Sequence, residues 1–247
     1  ANRAAALAIL SAEGSLTRDA LESRLDVSHR TVIRVVNTLR ERGYLTETDE
    51  GLALTPFGAH VADRVGAFVE DAEIALTYRP LLRHGPPAFA SLPLGALAGA
   101  EQVVSSESEP FAVLDRILTA RADADRIREI APGIERKSID QLYRRVERGD
   151  DVDVEIVIPE RASEAADSNP EYADKHAATL EADSVDIYVY PGQIRFATGV
   201  VDETATLAVM RDRQPYACVL SDAPALRTWA SDRFEEYKAD ATLKTPD

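Results

Sequence analysis

The chain has 247 residues, 45% of them hydrophobic, which is enough for a sizeable core and two domains. Its most apolar run, residues 4–10, is far shorter than the roughly 18 residues of a membrane span and lacks the basic flank and cleavage site of a signal peptide. A formal net charge of -15 accompanies a single cysteine, Cys218, which excludes an internal disulfide framework and predicts a cytoplasmic protein with no membrane partner.

Residues 3–12 predict a first helix that offers Leu7, Ile9 and Leu10 to a core and ends at Gly14. Thr17 is placed to cap a helix through residue 24, with Ala20, Leu21 and Leu25 inward. Asp26 and Val27 form the turn. Ser28 caps the next helix, which turns Val32, Val35, Val36 and Leu39 to one face, and Gly43 stops it. Residues 44–46 and 52–54 are strand-like pieces around the turn signal Asp49, Glu50, Gly51.

Thr55 and Pro56 open a long helix to about residue 79, where Pro80 ends it. Phe57, Val61, Val65, Phe68 and Ala72 recur along it at near-heptad spacing, followed by Ala75 or Leu76. Such a seam packs on its own domain or on a second copy. Its length and its position between two domains favour a dimer. Residues 85–99, which begin Gly85, Pro86, Pro87, read as a linker or irregular entry.

Beyond them helices and strands alternate. Strands are predicted over 102–106, 126–130 and 152–158, and helices over 110–122, 138–148 and 170–181. Four strands follow at 185–190, 193–200, 205–211 and 216–221, joined by short turns, and a helix from 222 or 223 to 237 closes the chain. The pattern predicts an α+β protein: a winged helix-turn-helix over 1–56, a long dimerisation helix over 57–83, and an α/β effector or sensor domain with a mixed sheet over 84–247.

The charge is unusual in kind. Beside 43 acids stand 24 arginines and only four lysines, Lys137, Lys175, Lys238 and Lys244. Surplus carboxylates keep a protein hydrated in molar salt, so the composition reads as halophilic; the alternative is an ordinary acidic protein from a GC-rich genome, where Arg codons replace Lys codons. The charge is also uneven. Residues 1–56 hold 7 bases and 8 acids, the remainder 21 and 35. Against that background Arg30, Arg34, Arg40 and Arg42 on one helix, with Glu41 as its only acid, point to an anionic partner such as double-stranded DNA.

A helix-turn-helix inserts the N-terminal half of its second helix into the major groove. Here that half supplies Ser28, His29, Arg30, Thr31 and Arg34. Arginine pairs bidentately with guanine and threonine packs on the thymine methyl. The amides at residues 28–30 could take a phosphate. Thr17, Arg18 and Arg24, with Thr46 and Thr48 in the wing, are candidate backbone contacts. The competing reading is a winged helix that contacts only proteins.

Catalytic and metal motifs are missing. His29, His60, His84 and His176 form no HxxxH or HExxH spacing, and no GxSxG, Walker loop or GxGxxG is present. No enzyme activity, cofactor or metal is predicted. Cys218, within YACVL, reads as a small core residue, and paired acids such as Asp150 and Asp151 read as solvated charge. Polar groups at strand ends, Ser105, Ser106, Tyr190, Arg195 and Arg211, could line an effector pocket, although each alone could face solvent.

Residues 1–83, with SHRTVIRVVNTLRERGYL and LTPFGAHVADRV, resemble the winged-helix regulators of haloarchaea. Residues 88–247, with GDDVDVEIVIPE, SVDIYVYPGQIRFATGVVDE and LSDAPALRTWASDRFEEYK, resemble the effector domain of TrmB-like regulators and the archaeal methanogenesis-regulator middle domain. The resemblance implies a dimeric archaeal transcription factor whose effector domain is related in fold to phospholipase D enzymes. Those enzymes need HxKxxxxD, whereas His176 here is followed by Ala177 and Ala178, so hydrolysis is not implied. No sugar-binding motif is matched either. The reading is a homodimeric, sequence-specific DNA-binding regulator with a possible small-molecule effector; the alternative is a non-catalytic metabolite-binding or interaction module with a vestigial winged helix.

Overall fold

Three helices and a hairpin open the chain in the computed structural model, which describes residues 2–171 and 173–245. They are α1 (Asn2–Glu13), α2 (Arg18–Leu25), α3 (His29–Glu41), β1 (Leu45–Thr48) and β2 (Gly51–Leu54), followed by α4 (Pro56–Thr77). Thr17 caps α2, its hydroxyl accepting from the Ala20 amide at 3.2 Å. Asp26 makes the turn in the left-handed region at φ 50°. Ser28 holds the cap position of α3, but its hydroxyl pairs with the Thr31 hydroxyl at 3.1 Å instead of a backbone amide.

Val32, Val35, Val36 and Leu39 of α3 are buried with Leu7, Leu10, Leu21, Leu45 and Leu52 in one core. On α2 only Leu21 is fully inside; Ala20 and Leu25 are half-buried. The hairpin register pairs Leu45 with Leu54 and Thr48 with Gly51, and Leu16 bridges to Leu52 as a short third strand. Gly58 lets α4 lie against the chain after α3: a Cβ there would sit 1.9 Å from the Tyr44 carbonyl oxygen.

The helix predicted to reach residue 79 stops at Thr77. Pro80 does not end it. A new helix, α5 (Arg79–His84), begins beyond Tyr78 with Pro80 in its first turn, where the missing N–H costs nothing. Residues 85–99 are not a linker. Two 3-10 turns, Pro87–Ser91 and Leu94–Leu97, bury Phe89, Leu92 and Leu97, and the Trp229 indole donates to the Ser91 hydroxyl at 3.1 Å.

The remaining elements are β3 (Glu101–Val104), α6 (Ala112–Arg121), β4 (Arg126–Ile130), α7 (Arg136–Arg148), β5 (Asp153–Pro159), α8 (Glu160–Ser168), α9 (Ala173–Leu180), β6 (Val185–Tyr190), β7 (Phe196–Val201), β8 (Thr204–Arg211), β9 (Gln214–Ser221), α10 (Pro224–Ala239) and β10 (Thr242–Leu243). Eight strands form one mixed sheet in the order β10, β6, β5, β4, β7, β8, β9, β3. β4, β5 and β6 are parallel, as helical crossovers require, and the other pairs are antiparallel. The chain is therefore α+β.

Four strands were expected to follow one another by short turns. All four do, but the short connection from β6 to β7 does not make the two strands neighbours: β7 pairs with β4. Gly199 permits that pairing, since a Cβ there would lie 2.1 Å from the Arg128 carbonyl oxygen. On one face α10 sends Leu226, Trp229, Ala230 and Phe234 into a core with Phe196, Leu207 and Val219. A second core gathers Ile127, Val154, Ile158 and Ile187 with Leu142 and Val146 of α7 beside it. The sequence reading missed α8 and β10. The chain divides into two units, Ala1–Glu73 and Ile74–Asp247. Among the described residues no helix is long and apolar enough to cross a membrane.

Candidate functional site

The four buried residues of α3 leave its other face in solvent, where Arg30 and Arg34 stand one turn apart. Neither has an ion pair among the described residues, whereas Arg18 pairs with Glu47, Arg24 with Glu13 at 2.8 Å, and Arg40 with Glu47 at 3.5 Å. Of the arginines singled out from the sequence, Arg18 and Arg24 are thus engaged within the unit, and Arg30 and Arg34 are free. Thr31 is half-buried. Ile33, 40% exposed, and Asn37 share the outer face and escaped the sequence reading; their i+3 and i+7 spacing from Arg30 was the available signal.

The start of α3 is acidic. His29 Nδ1 lies 2.6 Å from Glu22 Oε2, and Asp19, Glu22 and Asp26 line one concavity with Ser28 and His29. That potential opposes a phosphate at the amides of residues 28–30. The hairpin tip is acidic too, with Glu47, Asp49 and Glu50 beside exposed Thr46 and Thr48, and the Thr48 hydroxyl donates to the Gly51 carbonyl at 3.1 Å. The Thr17 hydroxyl already caps α2.

Along α4 the seam divides. Phe57 stacks on Tyr44 at 5.2 Å between ring centroids, and Val61 packs against the core of its own unit. Val65 and Ala72 are half-buried. Phe68 and Leu76 are 72% and 69% exposed, with Val69, unnoticed in the sequence, at 44%.

The residues proposed for an effector pocket do not meet in one site. The Ser105 amide donates to the Tyr216 carbonyl at 2.8 Å, and the Arg211 guanidinium lies 3.9 Å over the Tyr216 ring. Tyr190, on the far side of the sheet order, packs on Tyr237 at 4.9 Å, and exposed Arg195 donates to Gln193. None of them lines the apolar cavity that lies between β4, β5, β6 and the helices α7 and α9. Sequence reasoning missed that cavity because its lining residues are ordinary core types. Burial pushes the Cys218 thiol up to about 11, so it stays protonated, inside a small cluster with Val113, Ala208 and Leu220.

Residues 110–240, just over half of the chain, match the family described as the methanogenesis regulatory protein FilR1 middle domain. The chain belongs to that family. Residues 1–77 match the HVO_A0261 N-terminal domain. No curated protein matches the chain. Among solved structures, TrmBL2, described as an archaeal chromatin protein with a novel mode of DNA binding, is 15% identical at a TM-score of 0.46, covering 98% of this chain and 93% of that one. The phospholipase D family member Nuc from Salmonella typhimurium is 17% identical at 0.45, covering 59% of this chain and 99% of its own. Likenesses of that size say nothing of this chain's activity.

Proposed function

We propose that this chain is a cytoplasmic, sequence-specific DNA-binding transcriptional regulator that acts as a homodimer and answers to a small molecule. Residues 1–56 serve as a winged helix-turn-helix with α3 as its reading helix, α4 joins two copies through Phe68 and Leu76, and the C-terminal unit is the sensor. The observation that carries the reading is α3 itself. Its inner face is locked into a core, while its outer face presents Arg30 and Arg34 without partners in a chain of net charge -15. Membership of a regulatory-protein family supports it.

With the helix start and the wing tip both acidic, phosphate attraction is weak and salt weakens it further. Affinity then rests on base contacts from Arg30 and Arg34, with Thr31, Ile33 and Asn37 alongside. Selection from random duplexes by the full chain is expected to return one two-fold symmetric motif, its half-sites about 34 Å apart. Arg30→Ala and Arg34→Ala are each expected to weaken binding to that motif by about 1–3 kcal/mol at matched salt and to relax one base position. Selection that returns no shared motif, or two variants that bind as the parent does, would leave the interaction-module reading in its place.

A further inference from the structure

We propose that the cavity between α7, α9 and the parallel strands binds a small, mostly apolar molecule with one anionic head, a monocarboxylate in the simplest case. The inference rests on reading the C-terminal unit as a sensor and names the ligand that it would sense.

The cavity measures about 90 Å³. An apolar cavity of roughly 150 Å³ takes benzene, so there is room here for about three or four non-hydrogen atoms. Its floor is Ile127, Val154, Ile156 and Ile187 of the sheet, and Ile139 and Leu142 of α7 close it. Into this apolar lining enter Arg121, Arg145 and His176, beside the uncharged Ser138, Gln141 and Thr179. Arg145 is 5% exposed and His176 is 2% exposed. Arg121 Nε, Arg145 Nε and His176 Nε2 are all buried without a hydrogen-bond partner. Native proteins seldom leave such atoms unmade, and three around one cavity mark a place where an acceptor belongs.

The neighbouring charges favour an anion. Arg121 pairs with Glu129, and its carbonyl accepts from Arg145 Nη1 at 2.9 Å. Asp150 lies 3.4 Å from Arg145 Nε without hydrogen-bond alignment and binds Arg148 more closely, at 2.6 Å. Arg121, Arg145 and Arg148 thus share Glu129 and Asp150, and Asp123 acts on Arg148 from further off. On the α9 side Asp167 is held by Lys244 at 2.6 Å and stands 3.8 Å from His176 Nε2, while Asp140 is held by Lys175. Burial, followed by Lys244, holds the His176 pKa below its ordinary value, so at neutral pH the ring is an uncharged partner. Water could satisfy the three nitrogens but would wet the isoleucine floor. A carboxylate with an apolar tail suits both parts.

Thermal unfolding of the full chain is to be followed with straight-chain monocarboxylates from acetate to octanoate and with the matched primary alcohols. The expected result is a rise in Tm that peaks at one short chain length and is much smaller for the alcohols. Leu142→Phe, which fills the cavity, and His176→Leu, which removes one head-group partner, are each expected to weaken the best carboxylate by on the order of tenfold or more. No Tm rise with any carboxylate overturns the proposal, as do folded variants that bind like the parent; equal effects of acids and alcohols overturn the anionic head. Random-duplex selection on the same preparation separates the two readings. A shared DNA motif without carboxylate binding overturns this inference alone. Carboxylate binding without a motif overturns the regulator reading and upholds the pocket.

Discussion

Both units carry exposed ion pairs, such as Arg126 with Asp153 in the C-terminal one, but only the C-terminal unit also buries them. In the N-terminal unit the ion pairs among the described residues are exposed: the side chains of Arg18 and Glu47 are 46% and 48% accessible, those of Arg24 and Glu13 56% and 36%. In the C-terminal unit Arg121 and Glu129 meet at 14% and 5%. Arg128 and Lys238 close on Glu155, which is 11% accessible, and the Arg128 guanidinium also covers the Phe234 ring at 4.7 Å. Exposed pairs are screened by salt; desolvated ones are screened far less. In this acidic chain the exposed pairs are therefore loosely held, and the buried arginines hold the sheet together.

The largest effect that would test this contrast comes from Glu129→Ala. It strands the buried Arg121 guanidinium, the Glu129 side chain's ion-pair partner, and removes the acceptor of the Thr206 hydroxyl at 3.4 Å. Breaking a buried pair by removing one partner costs about 3–5 kcal/mol. Denaturant unfolding can be read through the fluorescence of the single tryptophan, Trp229, which lies in this unit. A loss under about 1 kcal/mol would mean that the pair behaves as a surface one.

A smaller effect depends on pH. Burial alone would raise the Glu155 pKa, but hydrogen bonds from Lys238 and then Arg128 outweigh it and hold the carboxyl below its usual value. A depressed folded-state pKa stabilises above the unfolded value, near 4.3, and that contribution disappears as pH falls through the folded value. Glu155→Gln is expected to cost about 1.5–3 kcal/mol at neutral pH, the worth of hydrogen bonds to a charged group, and to make the acid-side decline shallower. Parallel acid-side curves for parent and variant would remove Glu155 from the network.

The contrast was only half legible in the sequence. The inner face of α3 was, because Val32, Val35, Val36 and Leu39 follow helical spacing, and so were β5 and the β8–β9 hairpin, whose apolar runs and turn residues are local signals. The burial of Phe89, Leu92 and Leu97 was not: their partners Trp229 and Phe196 lie about a hundred residues away or more, and Gly85, Pro86 and Pro87 speak only for the turn before them. Helix α8 was hidden because it buries only Ala162, Ser163 and Ala166. At the candidate site the sequence could count arginines but not pair them. Glu47 and Glu13 stand far along the chain from Arg18 and Arg24, so the free guanidinia of Arg30 and Arg34 emerge only once the hairpin and α1 are in place. The cavity is legible least of all, because Arg121, Arg145 and His176 are 24 and 31 residues apart in succession and meet only through the parallel strand order.

The smallest effect is the one that the contrast most needs. Arg18→Ala removes an exposed ion pair and leaves Glu47 with Arg40 at 3.5 Å. Pairs of this kind contribute about 0–1 kcal/mol at low ionic strength. At 1 M salt, where the screening length shrinks to about 3 Å, the difference between parent and variant is expected to vanish. Helical circular dichroism in denaturant, at low and at molar salt, reads both. A cost above about 1 kcal/mol that survives molar salt would place Arg18 with Arg121 as a structural arginine. The surface of the N-terminal unit would then hold its cations for the fold, and the freedom of Arg30 and Arg34 could no longer be ascribed to loosely held pairing at that surface.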